Sequence, residues 1–435
     1  MRAGLLRFLA IAAGALSLSG CAPLTLAWTA LKPQGQLAEP AALEAFADQA
    51  PVADVEAWET ARAPALREAL QAYIYGAMPD DHQLEVTARR VLDENAFDGR
   101  ARLYEYTLQA EARFGDSVRQ SRPFAMNLLA PKDAPGAPVI LMQTFCPRWN
   151  TIPHPAIPRP EDARDCSDGF LTGVMTYVFG RYIATPPLEE ILDRGYAVAA
   201  IFPSEFVPDN RDGGLAALRA LAAGADDENR RWGAIAAWGW GYSLMIDALE
   251  SDPDVAASGY AAFGHSRYGK SALVAAAFDP RVTAVVSHQS GTGGASLNRR
   301  KKGESVESIT KNYPHWFAAR YAEFAGREDE MPVDQHHLLA LIAPRPVMLG
   351  NARRDVWSDP NGAFKAAMGA DPVYRLYADA GLEQSRLDEW RPDAPLAFWL
   401  RPGTHGVVEE DWPAFLEFLD AHMKPGGAPL EVSAR

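Results

Sequence analysis

The residues best placed to do chemistry are Gly264-His265-Ser266-Arg267-Tyr268-Gly269-Lys270. An apolar run, Tyr260-Ala261-Ala262-Phe263, leads into them, and a helix-forming run from Lys270 to Phe278 follows. A serine at a sharp strand-to-helix turn projects its hydroxyl from the top of a sheet, and such a turn needs small neighbours. The helix beneath it offers free N–H groups and the positive end of a dipole to a developing oxyanion. The second glycine lies three residues after the serine, where the common elbow has it two after, so the motif alone is only moderately specific. A serine that merely caps the following helix is the plainer alternative.

A nucleophilic serine needs a base, and the base needs an orienting carboxylate. Downstream of a serine elbow the carboxylate comes first and the histidine second. Of the nine histidines, only His405 and His422 lie beyond the pair His336-His337. His405 follows the apolar run Leu396–Leu400 in Arg401-Pro-Gly-Thr-His405-Gly, where a loop would carry it over the elbow. His422, near the end of the last helix, reads as structural, His336 and His337 as packing or capping residues, and His265 as a wall or support. The run Pro346–Gly350 leads to Asn351-Ala-Arg-Arg-Asp355, and Asp355 is the expected triad acid. Asp359 precedes a proline and suits a turn or helix cap.

These side chains need a framework. After a helical stretch over Val55–Tyr75 come three strand-like stretches, Leu84–Val91, Ala101–Ala110 and Phe124–Leu129. Short apolar runs then alternate with helical segments: Pro138–Met142, Tyr196–Phe202, Tyr260–Gly264, Val282–Ser287, Pro346–Gly350 and Leu396–Leu400. That alternation indicates a mostly parallel sheet covered on both faces. With the elbow, it predicts an α/β-hydrolase fold, a three-layer αβα sandwich. Glu228–Leu249 reads as a long helix whose tryptophans belong to the core. The proline-rich excursion Cys146–Thr185 is of a length that carries function or forms a lid.

Composition fits a soluble globular protein, with 48% hydrophobic and 23% charged residues in 435. A formal charge of −14 argues against nucleic acid and anionic membranes as partners, though not against a local basic pocket. No His-x-x-Glu-His cluster is present and His336-His337 are adjacent, so neither a metal nor another cofactor is expected. A monomer is expected.

Arg2 and Arg7, the apolar stretch Phe8–Leu18 and the small residues after it form a targeting segment. Its end, Leu18-Ser19-Gly20-Cys21, resembles a bacterial lipoprotein signal, with cleavage before Cys21 and acylation of its thiol. Ala22 after the cysteine implies outer-membrane sorting in a Gram-negative cell; an ordinary signal peptide leading to the periplasm or the medium is the alternative. The expected organisation is a signal over residues 1–20, a tether over 21–50, one catalytic domain over 51–423 and a disordered tail over 424–435. Cys146 and Cys166 could close a disulfide in an oxidising compartment, or be two buried thiols.

The elbow Gly264-His-Ser-Arg-Tyr-Gly-Lys270 resembles the Gly-Cys-Ser-Arg-x-Gly-Lys elbow of the glucuronoyl esterases, carbohydrate esterase family 15. The likeness extends through Trp232–Trp240, Gln289–Gly294, Gly303-Glu304, Pro314–Phe317, Val333–His336, Leu341–Pro346, Asp355–Pro360 and Gly403-Thr-His405. It implies cleavage of (4-O-methyl-)glucuronic acid esters, the links between glucuronoxylan and lignin alcohols. Ser266 would be the nucleophile and His405 the base. Arg267 would donate to the oxyanion, Lys270 and Glu304 would bind uronate hydroxyls, and Trp357 would line the pocket. Many fungal members carry the triad acid in a Gln-Glu-Ser-Gly segment that here reads His288-Gln289-Ser290-Gly291. An amide cannot play that part, so the triad must close through Asp355. His265 for the usual cysteine and Ser271 for a glycine are further departures. A general carboxylesterase or acetyl xylan esterase with the same triad is one alternative. A tethered carbohydrate-binding protein without activity is another.

Overall fold

Ten strands share one sheet in the computed structural model, which describes residues 52–159, 166, 178–222, 229–299 and 302–424. The targeting segment, Cys21 and the tether lie outside the described residues, as do 425–435. Strands β1 (Asp81–Ala96) and β2 (Ala101–Phe114) form an antiparallel hairpin, and β3 (Ser117–Gln120) folds back on the end of β2. β4 (Phe124–Pro131) runs antiparallel between β2 and β6. The rest of the sheet is parallel: β5 (Val139–Gln143), β6 (Ala197–Ile201), β7 (Tyr260–His265), β8 (Val282–His288), β9 (Val347–Ala352) and β10 (Leu396–Arg401). The order across the sheet is β1-β2-β4-β6-β5-β7-β8-β9-β10.

The parallel strands are apolar without a break because helices cover both faces. β5 sends Leu141 into one core and Ile140 and Met142 into the other, and β8 divides Val285 from Ala284 and Val286 in the same way. Among the described residues the longer α-helices are α1 (Ala63–Leu70), α2 (Leu188–Asp193), α3 (Arg211–Leu221), α4 (Ala234–Glu250), α5 (Arg267–Phe278), α6 (Val306–Asn312), α7 (Gln335–Ala340), α8 (Pro360–Tyr377) and α9 (Asp411–Met423). α2 and α9 cover one face of the sheet, and the other helices pack into the core on the opposite face. The result is the three-layer αβα arrangement of an α/β hydrolase.

The long central helix begins at Ala234 and not at Glu228. Gly233, its cap, is extended and donates its N–H to the Tyr75 carbonyl at 2.8 Å. A Cβ at Gly233 would stand 2.0 Å from the Trp316 carbonyl oxygen, so the chain passes too close to its neighbour for a helical turn carrying side chains. From there α4 is buried on almost every side, as a helix that is apolar all round should be. It packs on α5 and thereby supports the helix that follows Ser266.

Candidate active site

All the candidate catalytic groups lie at the carboxyl ends of parallel strands, where sheets of this kind bind ligands. Ser266 sits between β7 and α5 with φ 57° and ψ −120°. A non-glycine residue in that region costs about 1–3 kcal/mol and persists only where its surroundings impose it. Here the Ser266 N–H is held by the His288 carbonyl at 2.8 Å. A Cβ on Gly264 would stand 2.1 Å from the Tyr268 carbonyl oxygen. One on Gly269 would meet the Gly264 oxygen at 3.0 Å and the Ser290 Cβ at 3.1 Å. The glycine three residues after the serine is therefore the one that faces the strand, which accounts for the irregular spacing. The first N–H groups of α5, which begins directly after Ser266, have no carbonyl one turn upstream.

Asp355 and His405 come together from the loops after β9 and β10. Asp355 Oδ2 lies 2.6 Å from His405 Nδ1. The carboxyl is buried, and it also accepts from the Ser358 hydroxyl at 2.5 Å and the Ser358 N–H at 3.2 Å. Burial alone would raise its pKa, but the pull of His405 and these hydrogen bonds outweigh burial and hold it below the ordinary value. An ionised carboxylate only accepts, so Nδ1 carries the proton and Nε2 is the basic nitrogen. The His405 ring lies 4.6 Å from the ring of His265, the residue before the nucleophile. Among the described residues the hydrogen-bonding contacts of the His405 side chain are with Asp355 and, at 3.5 Å, Ser358. A bond from the Ser266 hydroxyl is not among them; in hydrolases that bond often tightens only with substrate.

Arg267 is fixed from two directions. It is ion-paired with Asp209, and its guanidinium lies 4.7 Å from the Trp316 ring centroid, 5.2 Å from Phe145 and 5.6 Å from Tyr313. Asp209 also accepts from Trp316 Nε1 at 2.9 Å and lies 3.0 Å from His315 Nε2. Burial would raise the Asp209 pKa, but His315, Arg267 and Trp316 together lower it. The buried Nε–H of Arg267 has no partner among the described residues, and a rigid fork with a spare donor suits an oxyanion.

Lys270 is buried and donates to the carbonyls of Ser290 and, at 2.7 Å, Thr292. The Thr292 hydroxyl donates to the Glu304 carbonyl, and the Glu304 N–H reaches the Trp357 carbonyl at 3.5 Å. The segments that carry the three expected sugar contacts are thus joined through backbone groups, which leaves the Glu304 carboxylate and the Trp357 indole outside these bonds. Glu304 is half-buried, and Trp357 stands 49% exposed. Cys146 and Cys166 are joined as a disulfide with Cα atoms 5.7 Å apart. Phe145, next to that bridge, packs on His265 and Tyr268 as well as on Arg267, so the start of the excursion abuts the site.

The other histidines have local partners. His265 is buried against His405, His288 and Phe145. Burial, followed by the positive groups around it, lowers its pKa far below the ordinary value, so it stays neutral beside the base. His337 accepts from the Asp334 N–H in a capping box at the start of α7, with His336 packed on its ring. His422 Nε2 lies 3.1 Å from the Ala394 carbonyl. Asp359 caps α8 and accepts from the Gly362 N–H.

Sequence reading missed Asp209, Ser358, Arg401 and the contacts of Gln289. Arg401 pairs with buried Asp411 and donates to the carbonyls of Pro402, Thr404 and Gly406, so it braces the loop that carries His405. Its one signal in the sequence is a charged residue closing an otherwise apolar strand. Asp209 has a comparable signal, a carboxylate in the loop after β6.

A family model described as "Glucuronyl esterase, fungi" matches residues 227–378. The chain is 35% identical over 389 residues to carbohydrate esterase MZ0003 from an unknown prokaryotic organism, covering 87% of this chain and 88% of that protein. Among solved structures it resembles a promiscuous CE15 esterase from the marine bacterial metagenome, with 31% identity, a TM-score of 0.74 and coverage of 90% and 98% of the two chains. A glucuronoyl esterase from Solibacter usitatus is similar at 32% identity and a TM-score of 0.72, covering 88% of this chain and 97% of that one.

Proposed function

This chain belongs to carbohydrate esterase family 15, the glucuronoyl esterases, and is a carboxylic ester hydrolase; on that footing we propose that it cleaves esters of (4-O-methyl-)glucuronic acid, as in lignin–glucuronoxylan links, through Ser266, His405 and Asp355. The observation that carries this reading is the 2.6 Å contact of His405 with a buried carboxylate, in a loop lying over a strained serine elbow. Ser266 Oγ adds to the ester carbonyl while its proton passes to His405 Nε2. The tetrahedral oxyanion is met by the N-terminal N–H groups of α5 and by Arg267. When the carbonyl re-forms, the alcohol leaves with the proton from His405, and Ser266 holds the uronate as an ester. Water, deprotonated by His405, then releases glucuronic acid and restores the serine.

The family membership, with Glu304 and Trp357 on adjoining segments, supports the acyl specificity: a carboxylate can accept from a sugar diol, and the exposed indole offers an apolar wall to a ring. Hydrolysis of methyl or benzyl glucuronate, compared with acetylated xylan, tests it. Glucuronate turnover that disappears in Ser266→Ala is expected; activity on acetyl esters alone would defeat the reading. A broader ester range is the second reading, favoured by the likeness to an esterase described as promiscuous. The Cys146–Cys166 bridge fits an oxidising compartment and so an exported enzyme; attachment at the outer membrane through Cys21 rests on the sequence Leu18-Ser19-Gly20-Cys21-Ala22.

A further inference from the structure

Gln289 follows β8 with φ 49° and is buried. Its side chain grips the backbone on both sides of His405: Nε2 donates to the Thr404 carbonyl at 3.2 Å, and Oε1 accepts from the Gly406 N–H at 2.7 Å. Its own backbone is tied to the neighbouring loops. The N–H donates to the Gly350 carbonyl at 2.8 Å, and the carbonyl lies 3.0 Å from Ser358 Oγ, whose single proton is shared between it and the nearer Asp355 carboxylate. One residue thus touches the end of β9, the acid loop and the base loop.

We infer that Gln289 is a positioning residue, an amide bracket that fixes His405 over Ser266, and not the vestige of a lost acid. The inference rests on the esterase reading of Ser266, His405 and Asp355. Only a group that donates and accepts at once can hold a carbonyl and an N–H flanking the same residue, and an amide does so at every pH. A carboxylate here would accept from Gly406 but turn a second oxygen towards the Thr404 carbonyl. The charged and titratable groups around this position are Arg401, which also donates to Thr404 at 3.2 Å, Asp411 paired behind it, the His405–Asp355 couple, His288, whose Nε2 lies 3.0 Å from the Gly406 carbonyl and 3.4 Å from Asp411, and His265 between the rings of His288 and His405. Arg401 is already engaged with Asp411 and three carbonyls, so a new carboxylate would have to compete for it.

The test compares wild type, Gln289→Glu and Gln289→Met by initial rates from pH 5 to 9. Methyl glucuronate and p-nitrophenyl acetate are both used, so failure on glucuronate alone removes the substrate reading and leaves the acetate comparison to decide the bracket. At pH 8 kcat should fall roughly ten- to hundredfold in Gln289→Glu, with KM within about threefold of wild type. A protonated carboxyl can donate to Thr404 and accept from Gly406 as the amide does. The ratio of Gln289→Glu to wild-type kcat should therefore climb as the pH falls, while the ratio for Gln289→Met stays low and flat. If the glutamate variant does not fold, the methionine variant decides: wild-type kcat in it overturns the proposal. So does Gln289→Glu activity at or above wild type at pH 8, or a ratio that does not move with pH.

Discussion

Replacing Asp355 with asparagine removes one negative charge while nearly preserving the volume. The carboxylate lies 2.6 Å from the His405 nitrogen and is shielded from solvent, so its charge acts directly on the imidazolium that forms when Ser266 is deprotonated. Opposite unit charges about 4 Å apart at an effective dielectric near 20 attract by about 4 kcal/mol. That is about three decades of rate. An asparagine NH2 facing Nδ1 would also favour the wrong tautomer, which adds to the loss. We expect kcat for Asp355→Asn to fall about 10³- to 10⁴-fold, with KM nearly unchanged and the circular dichroism spectrum intact. Activity within tenfold of wild type would mean that the base takes its carboxylate from elsewhere. Stability offers a second check. The folded pKa of Asp355 lies below its ordinary 3.8, so its stabilising contribution is complete above that value and is lost as the pH falls through the folded pKa. The difference in stability between wild type and Asp355→Asn should persist at neutral pH and shrink only in strong acid.

Four other perturbations address the rest of the site. Removing the Arg267 side chain takes away one oxyanion donor, and kcat should drop roughly 10²- to 10³-fold; Asp209→Asn, which frees the guanidinium without deleting it, should show a smaller loss of the same kind, and a normal kcat in Arg267→Ala would exclude the arginine from the transition state. Trp357→Ala should raise KM for a glucuronate ester several-fold yet leave the melting temperature within about a degree, because an exposed side chain contributes little to the fold; an unchanged KM would take the indole out of the binding site. The Cys146–Cys166 bridge joins positions 20 residues apart, so Cys146→Ser with Cys166→Ser should cost about 3 kcal/mol in denaturant unfolding, and unchanged unfolding would show the loop to be held by its other contacts.

The parallel strands were legible because each is a short apolar run bounded by turns, and the observed limits differ from the expected ones by one or two residues. β3 was not, since Ser117-Val-Arg-Gln is a four-residue, mostly exposed strand with no apolar alternation to betray it. The start of α4 was misplaced because what ends the preceding extended segment is close passage against Trp316, a tertiary contact. The turn at Ser266 and the meeting of His405 with Asp355 could be expected in advance because an elbow and two strand ends locate them. The groups that hold them could not. Arg267 meets Asp209 across 58 residues, and Gln289 meets Thr404 across 115, so nothing local in either segment announces the pair. Gln289 in particular reads as a missing acid until the loop it grips is seen.

The backbone of Ser266 has a consequence for how such a chain can change over generations. At φ 57° the resting protein holds one residue about 1–3 kcal/mol above its relaxed conformation, against a total stability of only about 5–15 kcal/mol for an ordinary domain. Glycine would occupy the same turn without that penalty. A lineage selected for heat resistance alone would therefore gain by discarding Ser266, and under the proposed mechanism only continued demand for ester cleavage keeps the serine in place.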